Sequence, residues 1–150
     1  MDECRNGGIA AFKEENGLIP NSSERPADAF IPEWFASKTG CIDVAVTSPC
    51  SISNLQTASD TDGAHLNKKF EEKCTKYGSR LDPTTHTFIP FIMDIFGCIH
   101  RDSLLFLKNV ATLSSANSCL GWETIYKNIL ANIQFKLAKS VANQILLRGN

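Results

Sequence analysis

The sequence predicts an α/β fold, in which a small mixed β-sheet is flanked by helices and followed by a long C-terminal helix. Three patterns predict it. Residues 41–47 form an apolar, β-branched segment that is typical of a strand. Residues 62–77 have the apolar spacing of a helix. From residue 122 to about 147, apolar residues recur at every fourth position over a helical length.

Length and composition favour one folded domain. A chain of 150 residues suits a single core, and 43% hydrophobic with 21% charged residues excludes a disordered chain. We predict a single domain over residues 1–150, with an N-terminal extension that holds a short helix (1–20), a core (24–100) and a helical C-terminal part (101–148). The net charge of −1 lacks the basic excess of a dedicated nucleic-acid binder.

The polar N-terminus has no apolar stretch of signal-peptide length. The apolar runs are too short to cross a bilayer, so we expect a soluble intracellular protein and no membrane partner. The six cysteines are scattered and form no CxxC pair. Without a secretory context, free thiols are favoured over disulfides.

The first half of the chain is predicted to form a β-hairpin behind a short helix. The predicted elements are a helix (9–15), a proline-bracketed loop (19–26), a strand (27–31), a turn (33–40) and a second strand (41–47). Pro32 is expected to end the first strand, and Ser48-Pro49 to end the second. The two strands are expected to pair with each other.

The second half is predicted to alternate helices with one more strand. The predicted elements are a polar loop (50–61), a helix (62–77), a strand (86–92), an apolar helix (102–113) and the long last helix (122–147). Gly78 is expected to close the first of these helices. Pro90 indicates that the strand lies at a sheet edge or contains a bulge. The every-fourth spacing of the last helix predicts an apolar stripe that winds around it.

Two aspartates in the predicted hairpin suggest a site. Asp28 and Asp43 each fall in a predicted strand, where Asp is rare and its burial is costly. Paired strands would bring the carboxylates side by side, where they repel unless a proton or a divalent cation separates them. Magnesium takes such oxygen ligands. Alternatively, Asp28 is a solvated loop residue, and Asp43 faces solvent on the side opposite Ile42 and Val44.

The helix at 62–77 carries lysines beside its apolar arc. That arc contains Leu66, Phe70, Cys74 and Tyr77. Lys73 falls inside the arc, and Lys69 and Lys76 flank it. A lysine on the core-facing side must either meet an anion, such as a buried aspartate or a bound phosphate, or extend to solvent beside Glu72.

Several strings in this order resemble a known family. They are Gly17–Asp28 (GLIPNSSERPAD), Pro32-Glu33-Trp34, Ile42–Pro49 (IDVAVTSP), Lys73–Tyr77 (KCTKY) and Phe88–Phe91 (FIPF). Together they resemble, over residues 17–148, a segment downstream of the reverse transcriptase region in invertebrate retroelement-derived proteins. That segment is similar to the restriction-endonuclease-like domain of non-LTR retrotransposons, in the PD-(D/E)xK nuclease superfamily.

The resemblance implies metal-dependent cleavage of DNA by a restriction-endonuclease-like core. Asp28 matches the first acid of the motif and Asp43 the second, which makes both ligands of Mg²⁺ or Mn²⁺. The lysine of the motif should stand two residues after the second acid, where this chain has Ala45. In the retroelement branch that lysine has moved to the following helix, so the resemblance implies Lys73 or Lys76 as the catalytic lysine.

Further basic residues complete the hypothesis. Arg25, Lys69 and Arg80 are candidates for contacts with DNA phosphates, and Glu24 is an accessory acid candidate. DNA would then be the partner and the nucleus the location. Two rival functions stay open: an inactive nucleic-acid-binding domain that has kept the nuclease fold, and a helical interaction module that uses the apolar stripe of the last helix. His65, His86 and His100 lack metal-ligand spacing and are predicted to be structural or surface residues.

Overall fold

The protein was analysed as a computed structural model, which describes residues 4, 8–13 and 26–148. These residues form four strands and four helices. In chain order they are β1 (Phe12–Lys13), β2 (Ala29–Phe35), β3 (Lys38–Thr47), α1 (Leu55–Asp60), α2 (Ala64–Lys73), β4 (His86–Asp94), α3 (Arg101–Ser115) and α4 (Trp122–Arg148). One π-helical turn, Cys74–Gly78, continues α2.

The sheet has the order β1-β2-β3-β4 and is mixed. β2 pairs antiparallel with both β1 and β3. β3 and β4 run parallel, in register from Thr39–His86 to Thr47–Asp94. Parallel neighbours need a crossover connection, and here α1 and α2 provide it. The predicted mixed α/β architecture with a long last helix is therefore confirmed.

Helices cover both faces of the sheet. On one face α3 and α4 pack against the apolar side chains of the strands, with Ile31, Ile42, Phe91, Leu107 and Ile129 in the core. On the other face lies α2 with its π-helical turn, where Ala27, Cys41, Tyr77 and Leu81 form a smaller core. This alternation along β3 follows from the two-residue period of a strand, which sends Ile42 to one face and its neighbours to the other.

The long helix α4 is only partly covered. Its first half packs on the core through Ile125, Ile129, Ile133 and Leu137. Toward its C-terminal end Ile145, Leu146 and Leu147 are exposed. The predicted helix is confirmed, and the described residues cover its apolar stripe only over the first half.

The predicted N-terminal helix at 9–15 is wrong for its described part, because Phe12 and Lys13 form β1. Phe12 stands opposite Phe30, and their rings stack with centroids 5.3 Å apart. Such a cross-strand aromatic pair stabilises a sheet but depends on a partner that is distant in sequence. Residues 14–15 and 19–25 of the predicted helix and loop lie outside the described part of the chain.

Pro32 does not end the first strand of the hairpin as predicted, since β2 continues to Phe35. The pairing of β2 with β3 is irregular between Ile31 and Phe35, which is a β-bulge that accommodates a residue without an N–H. The turn itself is Ala36-Ser37, with both residues at positive φ. Hairpins of this kind usually carry Asn or Gly there, so the sequence gives little indication of the turn position.

The remaining differences concern polar segments and boundaries. The predicted loop at 50–61 contains the short helix α1, whose sequence Leu-Gln-Thr-Ala-Ser-Asp shows no apolar periodicity. The strands at 41–47 and 86–92 are confirmed and are longer than predicted. Pro90 does lie in an edge strand, β4. The hydroxyl of Ser103 donates a hydrogen bond to the carbonyl oxygen of Pro90 and accepts one from the N–H of Ile92.

Gly40 provides a test of the hairpin packing. A Cβ at this position would lie 3.0 Å from Cγ and 3.1 Å from Cβ of Trp34, a buried residue whose ring packs against Phe106 of α3. We therefore expect Gly40→Ala to lower the free energy of unfolding by about 1–3 kcal/mol, because the core cannot absorb the added volume. Urea denaturation measures this change.

The matched control is Gly78→Ala, because a Cβ at Gly78 meets no atom within 4 Å. The free energy of unfolding of this variant should lie within about 1 kcal/mol of the wild-type value. Equal stability of the wild type and Gly40→Ala would contradict the described contact between Gly40 and Trp34.

Candidate functional site

Asp43 is a buried carboxylate in the middle of β3. It is 6% exposed and lies on the face covered by α2. The ammonium nitrogen of Lys73 lies 2.8 Å from its Oδ2 and donates a hydrogen bond to its Oδ1 at 3.1 Å. The alternative expectation, that Asp43 faces solvent, is therefore wrong. Burial of this carboxylate is tolerated because it is paired.

Lys73 reaches Asp43 from the last turn of α2. Its side chain is 22% exposed, and its Nζ also lies 5.7 Å from the ring centroid of Tyr77. Glu72, the other partner that the sequence allowed, instead pairs with Lys69 at 2.9 Å. The helical position of Lys73 thus brings a cation to a buried anion, which is one of the two outcomes that the apolar arc allowed.

Asp28 does not lie within a strand as predicted, but in a bend one residue before β2. Its Oδ2 accepts a hydrogen bond at 2.7 Å from the backbone N–H of Val44. Because a strand N–H points along the sheet toward the neighbouring strand, this carboxylate sits at the sheet edge where β2 has not yet begun. Ala29 pairs with Ile42 in the antiparallel register of β2 and β3. In the same register the residue before Ala29, Asp28, stands opposite the residue after Ile42, Asp43.

The charges of four predicted site residues interact at Asp43. Burial raises the pKa of Asp43, and the hydrogen bond and charge of Lys73 lower it. The negative charge of Asp28 raises the same pKa, and the more distant charge of Lys76 lowers it. The net direction is upward, so burial outweighs the attraction of Lys73. Oδ2 of Asp43 lies 2.8 Å from Nζ of Lys73 in an ion pair whose angles do not make a hydrogen bond.

The other predicted basic residues have different surroundings. Lys76 places its Nζ 4.7 Å from the ring centroid of Tyr77. Lys69 is held by Glu72 one turn before Lys73. Arg80 is exposed, just beyond the π-helical turn. Arg25 and Glu24 lie outside the described residues.

Two of the three histidines have ordinary structural contacts. His100 stacks on Phe70 with ring centroids 4.2 Å apart and accepts a hydrogen bond from the backbone N–H of Asp102, which caps α3. Burial lowers the pKa of His100, which keeps the ring neutral as an acceptor. His86 lies 2.8 Å from the hydroxyl of Thr85.

His65 forms a buried pair that sequence reasoning missed. Its Nε2 lies 3.2 Å from Oδ2 of Asp94, and both side chains are almost fully buried. The other oxygen of Asp94 accepts hydrogen bonds at 2.9 Å from the backbone N–H groups of Phe96 and Cys98. Nδ1 of His65 is buried and has no hydrogen-bond partner among the described residues. The sequence signal that could have indicated this pair is Asp94, which directly follows the apolar run Phe91-Ile92-Met93.

A polar cavity of about 310 Å³ lies beside this pair, at the carboxyl ends of β3 and β4. Its wall contains Thr47, Ser48, Asn54, His65 and Lys68. A second, largely apolar cavity of about 510 Å³ lies on the opposite face of the sheet.

No cluster of three or more Asp, Glu, His or Cys side chains suited to a metal occurs in the described ranges. The six cysteines are free thiols, as predicted. Burial raises the pKa of Cys41 to about 11, which leaves it an unreactive thiol in the small core.

Comparisons with protein-family models, curated proteins and solved structures found no match to this chain. The family resemblance therefore rests on the sequence motifs alone. Over the part of the chain that the structure describes, no helix has both the length and the apolar character needed to cross a membrane.

The raised pKa of Asp43 predicts a pH-dependent difference between the wild type and Asp43→Asn. Below its ordinary pKa of 3.8 the carboxyl is protonated in both the folded and the unfolded chain. As the pH rises from there through the higher folded-state pKa, the buried group must ionise, so the wild type loses free energy of unfolding relative to the variant. Urea denaturation of both proteins from pH 3 to about pH 7 measures the difference. A variant that loses stability relative to the wild type over this range would show that the attraction of Lys73 outweighs burial.

Proposed function

We propose that this chain is a metal-dependent DNA endonuclease-like domain that hydrolyses phosphodiester bonds. The observation that carries the proposal is the contact of buried Asp43 with Lys73, at 2.8 Å, beside the carboxylate of Asp28. A perturbed carboxylate with a cation and a second acid beside it is typical of a functional site. The sequence resemblance assigned the same residues independently.

The two carboxylates suit Mg²⁺ or Mn²⁺. Magnesium is usually bound through one or two carboxylates, with water and substrate phosphate as the remaining ligands. Among the described residues, Asp28 uses only Oδ2, for the N–H of Val44, so its other oxygen is available as a ligand. Both oxygens of Asp43 lie within 3.1 Å of Nζ of Lys73, so a metal ion would bind Asp43 by displacing that ammonium group. A divalent cation bound there supplies positive charge that stabilises the transition state of phosphodiester hydrolysis.

Lys73 has two roles in this proposal. Its ammonium group opposes the effect of burial and favours the ionised form of Asp43, which is the form that binds a cation. It also provides a positive charge where a phosphate approaches the site. In the proposed nuclease it replaces the strand lysine that is absent at Ala45. Lys73 is favoured over Lys76 because Lys73 contacts Asp43, whereas Lys76 lies over the ring of Tyr77.

The second candidate function is an inactive nucleic-acid-binding domain. It is favoured by the ion pair itself, because Lys73 already neutralises Asp43 and competes with a metal ion. The near-neutral net charge of −1 points the same way. A third candidate, a helical interaction module, is favoured by the exposed residues Ile145, Leu146 and Leu147 near the end of α4. DNA in the nucleus is the partner under the first two candidates.

The nuclease function is tested with supercoiled plasmid DNA in the presence of Mg²⁺ or Mn²⁺. We expect the wild type to nick the plasmid and Asp43→Asn to be slower by about 100-fold or more, because the variant removes a charged metal ligand without changing its size. Lys139→Met is the matched control, since Lys139 is an exposed residue of α4 far along the chain from the site. Equal nicking by the wild type and Asp43→Asn would refute the assignment, and a wild type that neither nicks DNA nor binds Mn²⁺ in calorimetry would favour the inactive domain.

The two lysines are distinguished by a pair of variants. We expect Lys73→Met to reduce the nicking rate on the order of 100-fold, since it removes the charge that contacts Asp43. Lys76→Met should reduce the rate by less than about tenfold, because its charge acts on Asp43 less strongly than that of Lys73 does. Single-turnover nicking rates at saturating Mn²⁺ measure both effects. A larger loss in Lys76→Met than in Lys73→Met would assign the catalytic role to Lys76.

A further inference from the structure

We infer that the polar cavity at the carboxyl ends of β3 and β4 binds a phosphate group. The cavity, of about 310 Å³, lies between the loop after β3 and the exposed side of α2. Apart from Lys69, a predicted contact for DNA phosphates, its residues have no role in the proposed cleavage. Their donors, their charge and their position along α2 each favour a phosphate ligand.

The cavity wall carries hydrogen-bond donors that lack acceptors. Asn54 uses its amide group to donate to the hydroxyl oxygen of Thr47 at 3.2 Å and to the carbonyl oxygen of Ser48 at 2.9 Å. The hydroxyl of Ser48 accepts from the backbone N–H of Cys50 at 3.2 Å. Both hydroxyls therefore act as acceptors, and neither donates its hydrogen to any described residue. A ligand with acceptor oxygens only, such as a phosphate, complements them.

The charge of the cavity is positive. Lys68 donates one hydrogen bond to the carbonyl oxygen of Ser53 at 3.1 Å, which leaves two of its three N–H groups for a ligand. Lys69 and Glu72 also line the cavity and neutralise each other at 2.9 Å. The uncompensated charge is that of Lys68, and its hydrogen bonds to a phosphate oxygen would be charge-assisted.

His65 forms a fixed part of the same wall. Its orientation is held by Asp94, which is in turn held by two backbone N–H groups. Nδ1 of His65 is buried and has no partner among the described residues. An unpaired buried nitrogen is costly, so its retention at the wall of a polar cavity is consistent with a binding site rather than with simple packing.

This inference rests on the proposed function for the origin of the phosphate. Lys69 and Lys73 are four residues apart on α2, which corresponds to about 6 Å along the helix. The cavity and the site at Asp43 therefore lie along the same helix. We assign the phosphate to the backbone of the strand that is cut at Asp43, with a free phosphate as the other source of the same chemistry.

The test is an NMR titration of the full chain, without divalent metal, first with inorganic phosphate and then with a short oligothymidylate. At constant ionic strength, phosphate should shift the amide signals of Thr47, Ser48 and Lys68 saturably. Lys68→Gln should weaken binding about tenfold through loss of a charge-assisted hydrogen bond. Lys139→Gln, a surface charge elsewhere, should bind like the wild type.

Two further variants distinguish the effect of the Thr47 hydroxyl from that of the side-chain shape. Thr47→Val, which removes the hydroxyl, should weaken phosphate binding, and Thr47→Ser, which keeps it, should retain the wild-type affinity. Shifts that do not saturate, or Lys68→Gln with wild-type affinity, would overturn the inference. Oligothymidylate that binds no more tightly than phosphate would overturn the assignment to a nucleic-acid backbone.

The phosphate-binding test and the nicking test can fail separately. Asp43→Asn should bind phosphate as the wild type does, since Asp43 does not line the cavity. A wild-type protein that binds phosphate but does not nick DNA would refute only the nuclease. Intact nicking with no phosphate binding would refute only the cavity.

Discussion

The burial of Asp43 against Lys73 is the constraint on which the site depends. A carboxylate at the centre of β3 is tolerated only with a cation beside it, and α2 supplies that cation from its last turn. The same helix packs Tyr77 on Cys41, so apolar contacts and the ion pair fix α2 over one strand. Removing either partner would leave a buried charge alone. This dependence couples the stability of the fold to the chemistry of the site.

The parallel pairing of β3 with β4 extends this arrangement along the helix. Because a parallel pair requires a crossover, α1 and α2 must pass over one face of the sheet. Lys73 then lies over the middle of β3, while His65, two turns earlier, meets Asp94 at the carboxyl end of β4. Two polar pairs, Lys73 with Asp43 and His65 with Asp94, thus lie between α2 and the sheet. The opposite face of the sheet, under α3 and α4, is apolar.

Local patterns predicted β3, α2 and α4, because a strand or helix with strong periodicity depends little on distant residues. The helical position of Lys73 and the strand position of Asp43 allowed a cation to meet an anion, but each also allowed a side chain that faces solvent. The pair of His65 with Asp94 was not predictable, since the residues are 29 positions apart and neither pattern marks them. Likewise β1 depends on a distant partner, and the hydrogen bond of Asp28 depends on where β2 begins.

The position of Asp28 has a consequence for the edge of β3. Among the described residues, β3 beyond Val44 pairs only with β4, so one side of its last residues is an open strand edge. Val44 and Val46 are 46% and 50% exposed there. Such an edge is a template onto which a strand of another molecule can add, and natural sheets protect it with charges. The carboxylate of Asp28 accepts a hydrogen bond from the N–H of Val44, so this group is already paired and is not offered to an incoming strand.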